Sequence, residues 1–299
     1  MANRAEHCGG DTNSEPSLRP LTPNVGVEIS GIDLARLYGD ELVFIMNALN
    51  THGALLFRNQ RLSDENLVAF SRNFGDLDGA PVNENGKTAV PGLPELYVIS
   101  NIEGSDGKPV GSLGSGEAAW HTDMSYLENP PDASVLYALE VPAVGGDTWV
   151  ASMYAALDHM PANLRKRIEG RAIKHDGTYN SGGYVRQGLV ANDDPLTSTG
   201  ALHSAICAHP RTGRPVLYLG RRRNAYVEGL SLEESDALLD EMWAHATRPE
   251  FCYAHKWRVG DLLMWDNRAT LHRRDEFDAT ERRLMHRTQI RGESAPRAL

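Results

Sequence analysis

The chain has 299 residues, of which 41% are hydrophobic and 23% charged, and this composition is typical of a globular protein with a substantial core. Acidic side chains number 40 against 30 basic ones, and the formal charge of -10 argues against a nucleic-acid-binding or anionic-membrane-binding surface. Three cysteines (Cys8, Cys207 and Cys252) cannot form a disulfide framework, and no apolar stretch has membrane-spanning length, so we expect a cytoplasmic protein without a signal peptide.

The first half of the sequence predicts short strands and two helices after a polar tail. We expect residues 1–18 to form a flexible tail, because they carry no apolar pattern. Residues 26–34 alternate apolar and polar side chains, as in a half-buried strand. Further elements are expected as a helix over 41–49, a buried strand over 54–57, a helix after the N-cap Ser63, and a strand over 96–99.

Short strands dominate the second half. Strands are expected at 134–139, 147–150, 216–218, 253–257, 262–265 and 284–290, and helices at 153–159, 162–169 and 231–246. Residues 176–200 are rich in Gly, Ser, Asn and Asp, and a loop of this length is typical of a lid or of a disordered segment. The pattern favours one domain over 19–299, mainly β with helical additions (α+β), as a β-barrel or double-sheet jelly roll.

The most informative segment is Trp120-His121-Thr122-Asp123. In an extended segment, residues i and i+2 point to the same side, so His121 and Asp123 can direct an imidazole nitrogen and a carboxylate oxygen at one point. Such a pair also occurs by chance, but His272, which follows a predicted strand and turn, supplies a second imidazole. Two histidines and one carboxylate form the facial triad of non-haem Fe(II) enzymes, and they also suit catalytic zinc.

Arginines alternate with other side chains along the last predicted strand. Arg283 and Arg287 share one face of this strand with Met285, because strand side chains alternate between two faces. One interpretation is a solvated strand face with two surface arginines. If the face points into the protein instead, the buried guanidinium groups need counter-ions, and one or two anions should bind there.

Together these motifs resemble the TauD/TfdA family of Fe(II)- and 2-oxoglutarate-dependent dioxygenases. The resemblance extends from about residue 21 to residue 292. It rests on Trp120-His121-Thr122-Asp123, Gly145-Gly146-Asp147-Thr148, His209-Pro210-x-Thr212-Gly213, Trp265-Asp266-Asn267-Arg268, His272 and Arg282-Arg283-Leu284-Met285-His286-Arg287. Arg283 and Arg287 follow His272 by 11 and 15 residues, which are the intervals of the family pattern.

The resemblance implies a double-stranded β-helix (jelly roll) and a catalytic Fe(II) ion held by His121, Asp123 and His272. It further implies that 2-oxoglutarate and O2 are co-substrates, and that conversion of 2-oxoglutarate to succinate and CO2 is coupled to hydroxylation of a substrate. The carboxylate of Asp123 disfavours halogenase chemistry, because the related halogenases replace it to make room for chloride.

The resemblance also assigns the co-substrate and substrate pockets. It implies that Arg283 pairs with the distal carboxylate of 2-oxoglutarate and that Thr148 hydrogen-bonds it; a planar guanidinium suits a carboxylate well. Trp265 is expected as a packing wall or as a lining residue of the co-substrate pocket. Arg287 is expected to bind the anionic group of a small organic substrate, which is a sulfonate, a sulfate ester or a carboxylate.

Other residues extend this substrate hypothesis. Tyr184 and Arg186 would contact substrate if the 176–200 loop closes. The basic run Arg221-Arg222-Arg223 is either a solvated loop or a rim that attracts anions. His209 is expected to fix the turn of its own motif. Residues 78–83 lack the histidine and tyrosine that taurine enzymes carry at this place, which disfavours taurine itself.

The leading functional hypothesis is hydroxylation of a small organic acid, with cleavage of a carbon–heteroatom bond when the hydroxylated carbon adjoins O, S or N. Alternatives are a biosynthetic hydroxylase or desaturase of an amino-acid-like substrate and a non-catalytic jelly-roll protein that retains a metal for structure. A zinc hydrolase is a further alternative, but zinc would have no use for Arg283 and Thr148. As in relatives, a homo-oligomer (dimer or tetramer) is expected.

Overall fold

An eight-stranded and a four-stranded sheet form the framework of the structure, a computed structural model that describes residues 15–81 and 90–299. In spatial order, the strands of the larger sheet are β1 (Ser17–Pro20), β2 (Val27–Ser30), β3 (Ala54–Phe57), β15 (Leu262–Asp266), β7 (Ala133–Glu140), β17 (Leu284–Ile290), β4 (Tyr97–Ser100) and β5 (Ser112–Leu113). Those of the smaller sheet are β14 (Cys252–His255), β8 (Thr148–Ser152), β16 (Thr270–Arg274) and β6 (Ala118–His121).

Helices and two small sheets complete the described part of the chain. One small sheet contains β10 (Leu202–Ser204), β9 (Ala172–Lys174) and β13 (Tyr226–Val227), and the other contains β12 (Pro215–Leu217), β11 (Ile206–Ala208) and β18 (Arg297–Ala298). The helices are α1 (Gly39–His52), α2 (Asp64–Arg72), α3 (Met153–Asp158), α4 (Ala162–Ile168), α5 (Leu232–Ala246) and a 3-10 turn at Pro249–Phe251. The predicted α+β class with mostly strands is confirmed. Among the described residues, each helix is too short or too polar to traverse a lipid bilayer.

Two predicted boundaries near the N-terminus were wrong. Strand β1 begins at Ser17, inside the predicted tail, and it pairs with β2; residues 1–14 lie outside the described part of the chain. All four residues of β1 are exposed, so its backbone pairing left no hydrophobic pattern in the sequence. The strand expected over 26–34 ends at Ser30, because Gly31 adopts a φ of +84° that breaks the extended conformation.

The two main sheets pack face to face, and their inner side chains form the core beside the functional site. Met285 and Trp265 of the larger sheet pack in one cluster with Val150 of the smaller sheet. The opposite face of the larger sheet packs in a second cluster with the apolar faces of α1 and α2. Strand β17 is therefore covered on both faces, and Arg283 and Arg287 lie on the same inward face as Met285.

The turn before β8 holds two consecutive glycines in a left-handed conformation. Gly145 and Gly146 have φ values of +81° and +67°. A Cβ atom on Gly145 would lie 2.7 Å from the Glu276 carbonyl oxygen, and one on Gly146 would lie 3.4 Å from Nε of Arg283. This close approach of two backbones fixes the start of β8, where Thr148 lies.

Replacing Gly145 with alanine should therefore lower the free energy of unfolding by about 3 kcal/mol. The alanine would be strained in the left-handed conformation, and its Cβ would also clash with the Glu276 backbone. Gly170→Ala is the matched control, because Gly170 has a φ of +71° but open space around its Cβ position. The control substitution should lower the free energy of unfolding by only about 1 to 2 kcal/mol. Urea denaturation measures both free energies of unfolding, and equal values would contradict the proposed clash.

Candidate active site

His121, Asp123 and His272 come together at the edge of the smaller sheet that β16 and β6 form. His121 ends β6 and lies directly opposite His272 of β16 in the antiparallel register. Asp123 lies two residues after the end of β6 and precedes Met124, whose φ is +47°. One donor atom from each of the three side chains lies within 4.8 Å of the others. Oδ1 of Asp123 is 3.6 Å from Nε2 of His121 and 3.8 Å from Nε2 of His272.

Both imidazole rings favour the neutral form, which has a nitrogen lone pair for a metal. Nδ1 of His121 is 2.7 Å from the Ala119 carbonyl oxygen, which can only accept, so Nδ1 carries the hydrogen and Nε2 is free. Burial lowers the pKa of His121 and lowers that of His272 well below its ordinary value. Neutral imidazoles with free lone pairs are the form in which histidine binds metals.

Asp123 supplies a negative charge with fixed orientation. Ser134 Oγ donates to Oδ2 at 2.7 Å, and Nη1 of Arg287 lies 3.2 Å from Oδ1. Burial alone would raise the pKa of Asp123, but Arg287 and the neighbouring histidines outweigh it and hold that pKa well below its usual range. Two neutral imidazoles and one ionised carboxylate are a donor set that fits a divalent transition metal.

A cavity adjoins the triad, and most of the predicted site residues line it. Its lining includes His121, His272, Thr148, Trp265, Arg283 and Arg287. Because these side chains come from both main sheets, the cavity lies between the sheets.

Arg283 is a buried cation that lacks a counter-ion. It is 2% exposed, its Nε has no hydrogen-bond partner, and it forms no ion pair with any carboxylate in the described stretches. Burial, assisted by the charge of Arg274, lowers the pKa of Arg283 to about 9. The interpretation of Arg283 as a surface arginine was wrong, and its surroundings are those of an anion-binding group.

Arg274 is a second buried arginine of this cavity, and the sequence analysis missed it. Its Nη2 donates to the carbonyl oxygens of Leu113, at 2.9 Å, and of Gly116. These hydrogen bonds connect the segment over 113–116 to β16. Burial lowers the pKa of Arg274 to about 10. The signal was present in the sequence, because Arg274 follows His272 by two residues in a strand and so points to the same side.

Thr148 and Trp265 also line this cavity. Thr148 begins β8, and its Oγ1 accepts a hydrogen bond of 3.0 Å from Nε1 of Trp257, a residue for which the sequence predicted no role. Trp265 is 1% exposed, and its ring centre lies 4.6 Å from that of His272. Its Nε1 donates to Oδ1 of Asn267 at 3.0 Å. Trp265 is therefore both a packing wall and a lining residue.

The structure separates the three residues predicted to contact substrate. Arg287 borders the cavity and contacts Asp123. The Arg186 guanidinium stacks on the Tyr126 ring at 4.3 Å, and its buried Nε has no partner among the described residues. Tyr184 is 71% exposed and does not line the cavity described above, so this conformation does not bring it to the site.

The basic run after residue 220 divides into one buried and two solvent-facing arginines. Arg221 is 9% exposed and donates to the Tyr179 carbonyl, so the solvated-loop interpretation was wrong for this residue. Arg222 pairs with two aspartates of α5, and Arg223 pairs with Asp193. Arg221 lines a surface groove together with Ser181. Ser181 also borders the cavity beside the triad.

His209 has the structural role expected from its motif. Its Nε2 lies 2.8 Å from Oδ2 of Asp266, and its Nδ1 lies 3.3 Å from the backbone nitrogen of Thr212. The imidazole therefore joins the 209–213 turn to the end of β15.

Comparisons with known proteins agree with this geometry. The family model "Taurine catabolism dioxygenase TauD, TfdA family" matches residues 17–289. An alpha-ketoglutarate-dependent 2,4-dichlorophenoxyacetate dioxygenase from Cupriavidus pinatubonensis is 34% identical, over 90% of this chain and 95% of its own. A taurine dioxygenase structure from Burkholderia xenovorans has 32% identity and a TM-score of 0.75, covering 94% of this chain and 92% of that one.

A further solved structure shows the same fold with ligands. AAD-2, in complex with Mn(II) and N-oxalylglycine, is 29% identical with a TM-score of 0.76, covering 95% of this chain and 100% of that chain. The family match spans nearly all of the sequence, and six residues of the motifs that carried the resemblance line one cavity: His121, Thr148, Trp265, His272, Arg283 and Arg287. The chain thus belongs to the TauD/TfdA family and is a 2-oxoglutarate-dependent dioxygenase.

Proposed function

We propose that this enzyme holds Fe(II) with His121, Asp123 and His272 and uses 2-oxoglutarate and O2 to hydroxylate a small organic anion. The observation that carries the proposal is the pairing, in one cavity, of a metal donor set with Arg283, a buried guanidinium without a carboxylate partner in the described residues. When bound, the metal and its co-substrate supply the oxidising chemistry, while the protein binds, orients and excludes water.

The co-substrate end of the cavity would be organised by Arg283 and Thr148. A dicarboxylate whose distal carboxylate meets Arg283 supplies the counter-ion that this buried cation lacks. A guanidinium can donate two parallel hydrogen bonds to a carboxylate, which fixes the orientation of the bound keto acid. Trp265, packed against His272, would keep water away from this side of a bound metal.

At the substrate end, Arg287 would bind the anionic group. Its guanidinium borders the cavity and contacts the metal-ligand candidate Asp123, so an anion bound by Arg287 would lie beside the metal. We propose that the loop over 176–200 is a lid, which brings Tyr184 and Arg186 to the substrate when it closes. The buried charge of Arg221 adds to the positive potential on this side.

The substrate class that fits these cations is a sulfonate, a sulfate ester or a carboxylate. The relatives named for 2,4-dichlorophenoxyacetate and taurine act on a carboxylate and a sulfonate. Hydroxylation next to a heteroatom would break the carbon–heteroatom bond of such a molecule. The expectation against taurine rests on residues 78–83 of the sequence, and positions 82–89 lie outside the described residues.

Two measurements test the proposal directly. Anaerobic addition of Fe(II) and 2-oxoglutarate should produce a weak visible charge-transfer absorption band. A panel of 2,4-dichlorophenoxyacetate, taurine and hexyl sulfate should then reveal one class that stimulates succinate formation coupled to O2 uptake. Bound metal without the absorption band, or succinate formation that no anion stimulates, would contradict the proposal.

Arg287→Ala should raise the KM for the primary substrate by about 10- to 100-fold, the loss expected for one charge-assisted hydrogen bond. Uncoupled turnover of 2-oxoglutarate should be retained. Arg291→Ala is the control, because Arg291 is 55% exposed and pairs with Asp78 on the surface. An equal loss of coupled and uncoupled turnover would instead show that Arg287 serves Asp123 and the metal centre.

We further propose that the two main sheets form a double-stranded β-helix (jelly roll) and that residues 19–299 are a single domain. The shared core cluster between the sheets supports this architecture. We also propose a cytoplasmic location, which agrees with the buried free thiols of Cys207 and Cys252, and assembly into a dimer or tetramer.

A further inference from the structure

Trp257 does not line the cavity itself but hydrogen-bonds Thr148, which does. Its Nε1 lies 3.0 Å from Oγ1 of Thr148, the first residue of β8. Trp257 follows β14, and the last residue of that strand, His255, is directly opposite Thr148 in the sheet. The register of these two strands therefore holds the indole next to the threonine hydroxyl.

The chemistry of the two groups fixes the direction of this hydrogen bond. An indole nitrogen can only donate, whereas a hydroxyl has one hydrogen and two acceptor lone pairs. Oγ1 of Thr148 therefore accepts from Trp257, and its own hydrogen is free to donate. Among the described residues, this hydroxyl has no other hydrogen-bond partner. Thr148 lines the same cavity as Arg283, so the free hydrogen is available to an acceptor bound there.

The indole itself is held in place by a buried polar group. Its ring packs edge to face on His255, with ring centres 4.4 Å apart and an interplanar angle of 80°. His255 is fully buried and lies between the Tyr253 hydroxyl, at 3.1 Å from Nδ1, and the Asp261 carboxylate, at 3.2 Å from Nε2. Asp261 pairs in turn with Arg58. This chain of contacts limits rotation of the indole away from Thr148.

We propose that Trp257 is a positioning residue for the co-substrate: it orients the Thr148 hydroxyl as a donor to the distal carboxylate of 2-oxoglutarate. The inference rests on the proposed function, which places that carboxylate at Arg283 and Thr148. Without the indole N–H, the hydroxyl rotates among several orientations, and binding has to restrict it again. We therefore expect the Kd for 2-oxoglutarate to rise about five- to ten-fold when the indole N–H is removed.

Trp257→Phe tests this role, because it keeps an aromatic ring against His255 and removes the donor. Calorimetric titration of the Mn(II)-loaded protein with 2-oxoglutarate measures Kd without turnover. We expect Kd to rise about five- to ten-fold. The Kd for 2-oxobutyrate, a keto acid without the distal carboxylate, should not change. A merely structural defect would weaken both ligands alike, and that outcome would overturn the inference.

A double-mutant cycle with Thr148→Val makes the test specific. Thr148→Val alone should weaken 2-oxoglutarate binding, and adding Trp257→Phe should then have no further effect, because the hydroxyl is already gone. Additive losses would show that Trp257 acts by another route. Trp243→Phe is the matched control, since Trp243 is buried in α5 and its Nε1 has no partner in the described stretches. Failure of the wild-type protein to bind 2-oxoglutarate would refute the proposed function itself. This result is distinct from additive losses in the cycle, which would refute only the role of Trp257.

Discussion

Replacing Arg283 with glutamine is expected to weaken 2-oxoglutarate binding by about 100-fold while leaving metal affinity unchanged. Arg283 is buried, and the described part of the chain offers it no carboxylate. Hydrogen bonds to charged groups contribute about 1.5 to 3 kcal/mol, and loss of about 3 kcal/mol corresponds to roughly 100-fold in affinity. The Kd for 2-oxoglutarate in the Mn(II)-loaded protein and the KM from O2 uptake both measure this loss.

Two neighbouring substitutions define the cause of that effect. Arg283→Lys keeps the charge but not the planar pair of donors, so its loss should be intermediate, about 10-fold. Arg282→Gln should have no effect, because Arg282 is 63% exposed and pairs with Glu140 at 2.7 Å. A glutamine variant at 283 that binds 2-oxoglutarate as tightly as the wild type would rule out the proposed co-substrate pocket.

Asp123→Asn should lower metal affinity by at least about 100-fold and abolish substrate-coupled succinate formation. Asparagine keeps the shape of the side chain but removes the one negative charge of the triad, and it leaves Arg287 without its ion-pair partner. Equilibrium dialysis with Fe(II) under anaerobic conditions measures the affinity, and succinate assays measure turnover.

Ser134→Ala provides a graded comparison for the aspartate variant. Ser134 donates to Oδ2 of Asp123 at 2.7 Å and does not belong to the triad. Loss of such a supporting hydrogen bond typically costs about 10- to 100-fold in metal affinity, so this variant should fall between the wild type and Asp123→Asn. Wild-type affinity in the asparagine variant would remove Asp123 from the metal site.

Part of the side-chain chemistry of this site was readable from local rules, whereas the joint role of the triad and the roles of Thr148 and Arg283 were expected from the resemblance to the family. Alternation along an extended segment placed His121 with Asp123, and Arg283 with Arg287. The need of a buried charge for a counter-ion predicted an anion near the arginines if their face points into the protein, with a solvated strand face as the alternative. The same alternation should have identified Arg274, which shares the face of His272 and lines the cavity.

Features that depend on the pairing of distant strands were not readable. The hydrogen bond from Trp257 to Thr148 exists because β14 pairs with β8 in one particular register. Strand β1 is held by backbone pairing and by exposed side-chain contacts of Ser17 with Ser30 and of Arg19 with Glu28, without buried side chains. The burial of Arg221, within a run of three arginines, follows from the packing of the 176–200 loop onto it. Sequence periodicity describes single elements and does not encode these tertiary contacts.

The opposition of His121 and His272 in neighbouring strands also bears on how the protein resists unfolding. An ion shared by these residues would cross-link two points of the polymer separated by half of its length, and the open chain could not hold that ion in the same way. Ligation would thus shift the equilibrium toward the native state by mass action. The holoprotein should melt at a higher temperature than the chelator-treated apoprotein, so a bound metal would contribute to the durability of the fold as well as to its chemistry.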